Sequence, residues 1–116
     1  MTRQELEKRL IQFAAAVYHI NRSLSEKREG NLGDQVFRSS SSAALNYGEV
    51  QGAASKKDFI HKNRIVLKEL RETMIALKLI KEINILDPRV LDITIKENNE
   101  LIAIFVSAIK TAEGNQ

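Results

Sequence analysis

Cysteine is absent from this 116-residue sequence, which excludes disulfide bonds and cysteine-based metal or redox chemistry. Aromatic residues make up 5% of the chain and tryptophan is missing, so a surface that stacks single-stranded bases is hard to build. No apolar run approaches the roughly 20 residues of a membrane span, and the opening residues MTRQELEKRL lack the apolar core of a secretion signal. We therefore expect a cytoplasmic protein without membrane contact, built as one domain over residues 1–116.

Glycine and proline are also scarce, and they interrupt an otherwise regular pattern at two places. The first break lies at Gly30 to Gly33, and the second lies at Pro88. Elsewhere, apolar residues advance in alternating steps of four and three, which is the spacing of one face of an α-helix. The sequence therefore predicts an all-α protein with long helices.

Local signals at the helix ends agree with this pattern. Thr2 with Glu5 has the spacing of a capping box, and Ser55 with Asp58 marks a similar start further along the chain.

Four helices with short connections and one apolar stripe each can bury those stripes together, which predicts an antiparallel up-and-down four-helix bundle. We expect the final residues, EGNQ, to fray. The predicted helices span about residues 3–28, 33–52, 56–84 and 88–112.

Each helix contributes one stripe to the predicted core. The stripe of the second helix has much smaller side chains than that of the first, so this helix is expected to pack closely against its neighbours. The stripes are Leu6, Leu10, Phe13, Val17, Ile20 and Leu24; Val36, Ser40, Ala43, Tyr47 and Val50; Phe59, Asn63, Val66, Leu70, Thr73, Leu77 and Ile80; and Leu91, Thr94, Asn98, Leu101, Phe105 and Ala108.

Further apolar residues lie off these stripes on the third and fourth helices. A monomer that left them in water would expose a sizeable patch, so we predict self-association of bundles side by side. The alternative is a wide core stripe with these residues at its margins. They are Ile65, Ile75 and Leu79 on the third helix and Ile95, Ile102 and Ile109 on the fourth.

Positive charge concentrates on the third helix. Residues 56–81 carry eight Lys and Arg against three acids, although the whole chain has a net charge of only +3. Like charges at this spacing repel by roughly 0.2 to 0.5 kcal/mol per pair, so the face is stabilised when anions meet it. The face opposite the core, which also holds His61 and Ile75, carries five permanent cations: Lys57, Arg64, Lys68, Arg71 and Lys78.

We predict that these five cations contact the phosphates of RNA or DNA. The alternative is a solvated face, or one paired with carboxylates of neighbouring helices such as Glu49, Glu97 or Glu100. Because aromatic residues are few, any nucleic-acid contact is expected to be mainly electrostatic.

A polar line runs along the second helix among small residues, at Ser39, Ser42, Asn46 and Glu49. Serine is a weak helix former, and it is tolerated where a close neighbour supplies a hydrogen-bonding partner. We predict that Asn46 bonds to Asn63 or Glu69 across a buried interface and so fixes the register of the helices.

No catalytic residue, metal site or cofactor is predicted. His19 and His61 lie on different helices, and neither completes an obvious arrangement of Ser, His and Asp. Asp58 shares a turn with His61, but a carboxylate-bridged bundle site needs a second Glu-x-x-His pair. The glycine spacings lack the strand context of nucleotide-binding loops. An enzyme would have to place Ser42, Asn46, Glu49 and Glu69 in an accessible cleft.

One stretch carries a family resemblance: QVFRSSSSAALNYGEVQGAASKKDFIHKNRIVLKELRETMIALKLIKE. Its distinctive elements are the Arg-Ser-x-x-Ser-x-x-x-Asn-x-x-Glu run from Arg38 to Glu49, the segment from Ser55 to Phe59, and Glu69 with Glu72. In these elements the chain closely resembles the four-helix-bundle family of 23S rRNA intervening-sequence proteins.

The resemblance implies an antiparallel four-helix bundle that assembles into a ring, typically a homopentamer, and it supplies no catalytic residues. Some members of this family are encoded within insertions in bacterial large-subunit rRNA genes. Arg38, Asn46, Glu49, Glu69 and Glu72 are then expected to make polar contacts within the bundle or between protomers.

Related bundles are the accessory variability determinants of diversity-generating retroelements, in which a basic pentamer binds nucleic acid and reverse transcriptase. By analogy, we expect a non-enzymatic homo-oligomer that associates with RNA or DNA. The alternative is an oligomeric scaffold that binds a protein partner and no nucleic acid.

Overall fold

The computed structural model describes residues 1–114, which form four helices: α1 (Arg3–Glu26), α2 (Gly30–Val50), α3 (Lys56–Ile83) and α4 (Pro88–Gly114). Each helix packs against the next one along the chain, and α1 also meets α4. The molecule is a rod of 48 × 20 × 20 Å. Since a helix of 25 residues is about 38 Å long, the connections are short enough that successive helices must reverse direction. The predicted all-α four-helix bundle is confirmed.

Hydrogen bonds at the helix starts explain where α1 and α3 begin. The Thr2 hydroxyl accepts from the Glu5 backbone N–H at 3.1 Å, and the Glu5 carboxylate accepts from the Thr2 N–H at 3.3 Å. Ser55 accepts from the Asp58 N–H at 3.1 Å. The Asp58 carboxylate in turn accepts from the Ala54 N–H, and this bond lowers the pKa of Asp58. Both starts fall where the capping patterns predict them.

The start of α2 differs from the prediction. The chain turns just before Gly30, at Arg28, whose φ of 63° is in the left-handed region, and both glycines lie inside the helix. Gly33 is buried against α1, and a Cβ added there would lie 3.1 Å from the Asn21 Cα and against the Asn21 side-chain amide. Gly33 therefore permits a close approach of α1 and α2 and does not mark a break.

The other helix ends differ slightly from the prediction. The first helix ends at Glu26 and the fourth extends to Gly114. Of the residues expected to fray, Glu113 and Gly114 belong to α4, whereas Asn115 and Gln116 lie outside the described residues.

The predicted stripes form the core, with exceptions near one end of the rod. Phe59 is 36% exposed because it lies in the first turn of α3, where α2 has already ended at Val50. On α4, Ile109 is buried and Ala108 is only half-buried. A stripe of mean period 3.5 drifts around a straight helix of period 3.6, so the inward position moves by one residue near the end of a long helix.

Two polar contacts tie the helices together inside the core. The Ser39 and Thr73 hydroxyls lie 2.7 Å apart and join α2 to α3. The fully buried Asn98 amide on α4 donates to the Leu70 carbonyl of α3 at 3.1 Å. Because a buried polar group without a partner is costly, these bonds favour one alignment of the three helices.

The predicted second apolar face is only partly present. Ile109 is buried, and Ile95 and Ile102 are half-buried against the core, so on α4 the alternative of a wide core stripe holds. On α3, Ile75 is 66% exposed and Leu79 is 48% exposed. Ile65 is half-buried, so the exposed apolar residues of the predicted set are Ile75 and Leu79.

Candidate nucleic-acid interface

The five predicted cations are all exposed on the outer face of α3: Lys57, Arg64, Lys68, Arg71 and Lys78. At about 1.5 Å of rise per residue, they extend over roughly 30 Å along the rod. His61 is exposed with them. The four-three spacing therefore places these cations on one face of the helix, where Ile75 separates Lys78 from the other four.

A shallow groove of about 910 Å³ follows this face, with α2 forming one wall and α4 the other. Three of the predicted cations line it, together with Lys110 of α4. Lys110 is distant in sequence from the basic segment, so a pattern read along one helix does not find it. We call this feature the α3 groove; it is lined by Leu32, Gln35, Arg64, Leu67, Lys68, Arg71, Glu72, Ile75, Ala76, Leu79, Val106, Ile109, Lys110 and Glu113.

Ion pairing leaves most of this charge unneutralised. Arg64 pairs with Glu113 of α4, and both side chains are well exposed. Within residues 1–114, Lys68, Arg71 and Lys110 make no ion pair. The groove therefore holds exposed cations without carboxylate partners in the part of the chain that the structure describes.

The carboxylates named as alternative partners do not meet this face. Glu97 accepts a hydrogen bond from the Arg9 Nε at 3.0 Å, and Glu100 lies 3.7 Å from the same guanidinium. The bond with Glu97 raises the pKa of Arg9. Glu49 forms no ion pair among the described residues. Within residues 1–114, none of these three acids therefore pairs with the α3 cations, and the alternative of pairing with a neighbouring helix holds only for Arg64, whose partner is Glu113.

The character of the outer face changes along α3. From Lys57 to Arg71 the exposed positions of the predicted face are basic, whereas the apolar Ile75 and Leu79 are exposed beyond that point. The α3 groove therefore has a basic half around Arg64 to Arg71 and an apolar half around Ile75 and Leu79.

Arg38 connects α2 to α3 beside the groove. Its guanidinium donates to Glu72 at 2.9 Å and lies 3.6 Å from the Oε2 of Glu69. The Glu69 side chain is only 12% exposed, and its Oε2 has no hydrogen-bond partner in the described part of the chain. Three of the polar residues carried by the resemblance therefore form one cluster between two helices.

The predicted partner of Asn46 is wrong. Its amide donates to the Ser42 carbonyl at 2.8 Å and to the Ser42 hydroxyl at 3.0 Å, both within α2. Asn63 likewise donates to the Phe59 carbonyl of its own helix at 2.9 Å. Helical side chains tilt toward the preceding turn, which brings such amides to the carbonyl four residues earlier.

The catalytic hypothesis gains no support from this arrangement. The Asn46 amide donates a hydrogen bond to Ser42, Glu69 forms an ion pair with Arg38, and Glu49 is exposed to solvent. Within residues 1–114, no three His, Asp or Glu side chains are grouped to hold a metal ion.

An apolar patch on the other side of the rod was not anticipated. It lies between α1 and α2, and it contains no residue of α3 or α4. Leu45 is 74% exposed and Ile11 is 56% exposed. Ile11 and Tyr18 are seven residues apart, so the spacing could have shown a second stripe on α1. This α1–α2 patch is lined by Ile11, Ala14, Ala15, Tyr18, His19, Phe37, Ser41, Ala44 and Leu45.

Comparison with known proteins agrees with the resemblance. The sequence profile described as 23S rRNA-intervening sequence protein matches residues 3–107. A crystal structure of a protein of unknown function from the S23 ribosomal protein family of Bacteroides thetaiotaomicron is similar, with a TM-score of 0.88 and 27% sequence identity. The similarity covers 95% of this chain and 99% of that one. No curated protein matches the chain. None of the helices in the described residues is long and apolar enough to cross a bilayer.

Proposed function

This chain belongs to the 23S rRNA-intervening sequence protein family, and we propose that it is a non-enzymatic, homo-oligomeric bundle that associates with RNA or DNA through α3. The observation that carries the proposal is the basic half of the α3 groove. Phosphates supply the anions that Lys68, Arg71 and Lys110 lack within residues 1–114. Recognition at the α3 groove is electrostatic and independent of sequence, since exposed Lys and Arg contact the phosphate backbone.

The number of contacts sets the expected strength. Arg64, Lys68, Arg71 and Lys110 line one groove, but Arg64 must exchange Glu113 for a phosphate. An exposed ion pair contributes only about 0 to 1 kcal/mol, so this exchange costs little. Each chain therefore offers three to four phosphate contacts, and an oligomer would multiply them by presenting several grooves to one strand.

Charge reversal tests the proposal directly. The triple variant Arg64→Glu, Lys68→Glu, Arg71→Glu should abolish retention of duplex RNA or DNA in a filter-binding assay while helix content stays the same. The matched control reverses three exposed cations outside the groove, Lys8, Arg22 and Lys96. Equal binding by the wild type and the triple variant would reject the α3 groove as the interface.

Self-association is the second part of the proposal. The α1–α2 patch is lined mainly by apolar side chains, with Tyr18, His19 and Ser41 contributing its polar groups. Burying a Leu or Ile side chain contributes roughly 1.5 to 3 kcal/mol, which favours covering Leu45 and Ile11 with a second copy. The ring implied by family membership, typically a pentamer, would have a mass of about 65 kDa, five times the 13.1 kDa of one chain.

A scaffold that binds a protein partner is the second candidate function. It is favoured by the apolar half of the α3 groove, where Ile75 and Leu79 are exposed beside Leu32. This candidate predicts no nucleic-acid binding at physiological salt, so the filter-binding assay also separates the two functions.

A further inference from the structure

A second cavity lies at the end of the rod where the starts of α1 and α3 meet the ends of α2 and α4. We call it the end pocket. Its volume is about 710 Å³, within the range of roughly 300 to 1,000 Å³ typical of small-molecule sites. All four helices contribute to its lining, and it shares no residue with the α3 groove.

Aromatic rings form part of its wall. Tyr47 and Phe105 pack edge to face with their ring centroids 5.5 Å apart, and both line the cavity. Phe59, which the sequence assigns to the core, is 36% exposed at this site. A phenylalanine ring that is left partly uncovered beside a cavity offers a flat apolar face to a ligand.

The polar lining has one sign of charge. Arg3 and Lys56 line the cavity, and no acidic side chain does so among the described residues. Asp58, the acid nearest to Lys56 in sequence, is held by the Ala54 N–H at 3.0 Å and lies 3.4 Å from the Lys62 ammonium. The cavity therefore favours an anion.

Hydrogen-bonding groups accompany these cations. The side-chain amides of Gln51 and Asn63 and the hydroxyls of Ser55 and Thr111 also line the cavity. The lining is therefore mixed, with these polar groups set among apolar side chains such as Leu6 and Val50. Amides and hydroxyls do match the donors and acceptors at the edge of a nucleobase, and an aromatic face matches its plane.

We propose that the end pocket binds a nucleoside phosphate. The base lies against the Phe59 ring with its edge toward the Gln51 amide and the Asn63 Oδ1, because the Asn63 amide nitrogen donates to the Phe59 carbonyl. The phosphate meets Arg3 and Lys56. The nucleotide is either free or the terminal nucleotide of a strand, and the strand form rests on the function proposed above.

Equilibrium dialysis against labelled AMP and CMP tests this site in the full-length protein. We expect saturable binding of one nucleotide per chain, with adenosine and inorganic phosphate each binding at least tenfold more weakly than AMP. Phe59→Ala and the double variant Arg3→Gln, Lys56→Gln should each weaken AMP binding at least tenfold. The matched control is Lys8→Gln, an exposed α1 cation outside the cavity, which should leave binding unchanged.

Phe59→Leu guards against a folding artefact, because it keeps apolar volume but removes the ring. It should retain the helix content and still weaken AMP binding. Lack of saturable binding of both nucleotides at millimolar concentration would overturn the proposal, as would equal AMP binding by the wild type and the pocket variants.

A 5′-phosphorylated single strand separates the two sources. The pocket is assigned to a strand end if the phosphorylated strand binds more tightly than AMP does and if Phe59→Ala lowers its affinity to that of the unphosphorylated strand. AMP binding as tight as that of the strand assigns it to a free nucleotide. The Arg64→Glu, Lys68→Glu, Arg71→Glu variant should bind AMP as the wild type does. The experiments therefore distinguish an error in the nucleic-acid role proposed for the α3 groove from an error in the nucleotide site proposed for the end pocket.

Discussion

Arg38 on α2 donates a hydrogen bond to Glu72 on α3 at 2.9 Å, and the same guanidinium is the only cation within ion-pair distance of Glu69 in the described residues. Arg38 and Glu72 are both well exposed, so their pair alone contributes about 0.2 to 1 kcal/mol. Glu69 differs because its side chain is only 12% exposed. Removing Arg38 therefore leaves a mostly buried carboxylate without its counter-ion.

We predict that Arg38→Met lowers the free energy of unfolding by about 1 to 2 kcal/mol, since the desolvation cost of Glu69 adds to the lost pair. Urea denaturation measures this change. Arg22→Met, at an exposed site on α1, serves as the control and should be nearly neutral. Adding Glu69→Gln to Arg38→Met should recover part of the loss. An equal effect of Arg38→Met and Arg22→Met would contradict the account of this cluster.

Two glycines of α2 should respond in opposite directions to alanine. Gly33→Ala places a Cβ against Asn21 and 3.1 Å from its Cα, so we expect a loss of roughly 1 to 3 kcal/mol as α1 and α2 are forced apart. Gly48 has open space around it, and Gly48→Ala should stabilise the helix by roughly 0.5 to 1 kcal/mol. Thermal denaturation of the two variants measures both effects. If Gly33→Ala left the thermal stability unchanged, the contact between Gly33 and Asn21 would not be tight.

Tyr47 should ionise at higher pH than an ordinary tyrosine, because burial raises its pKa. The Tyr18→Phe variant leaves Tyr47 as the only tyrosine, so phenolate absorbance then reports this group alone. A tyrosine in an unfolded chain has a pKa of about 10. We expect the titration midpoint of Tyr47 in the folded protein to lie above that value. The pKa of Tyr47 is higher in the folded state than in the unfolded state. The stability that neutral Tyr47 contributes is therefore fully present below about pH 10, and it is lost as the pH rises through the pKa of the folded state. A midpoint at or below the ordinary value would contradict the burial of Tyr47.

Self-association should depend on the α1–α2 patch. Leu45→Asp places a charge on an exposed side chain of the patch and should reduce the mass measured by light scattering from that of an oligomer toward 13.1 kDa. Ile93→Asp is a matched control, because Ile93 and Leu45 are both 74% exposed and Ile93 lies on α4, outside the patch. If the two variants have the same mass as the wild type, the patch is not the contact between copies.

The architecture could be predicted because the relevant signals are local. The capping pairs at Thr2 and Ser55 and the four-three stripes depend on spacing along one helix, and the structure agrees with them closely. Gly33 was misread as a break because its close approach to Asn21 depends on a second helix.

The contacts of the candidate sites were harder to predict because they join distant parts of the sequence. Lys110 enters the α3 groove from α4, and Glu113 pairs with Arg64 across 49 positions. Asn46 was assigned a partner on another helix, but its amide reaches back along α2 to Ser42. The end pocket depends on Phe59 being uncovered, and this follows from where α2 ends and not from the residue itself.

The salt dependence of nucleic-acid binding tests the central claim most directly. For duplex DNA, the slope of log K against log salt is about −0.9 for each phosphate contact. Replacing Arg64, Lys68 and Arg71 by Gln should therefore reduce the magnitude of the slope by roughly 2 to 3 per chain, with the smaller value expected where Arg64 keeps Glu113 as its partner. An identical slope for the wild type and the triple Gln variant, or no binding by the wild type at low salt, would contradict the proposed role of α3.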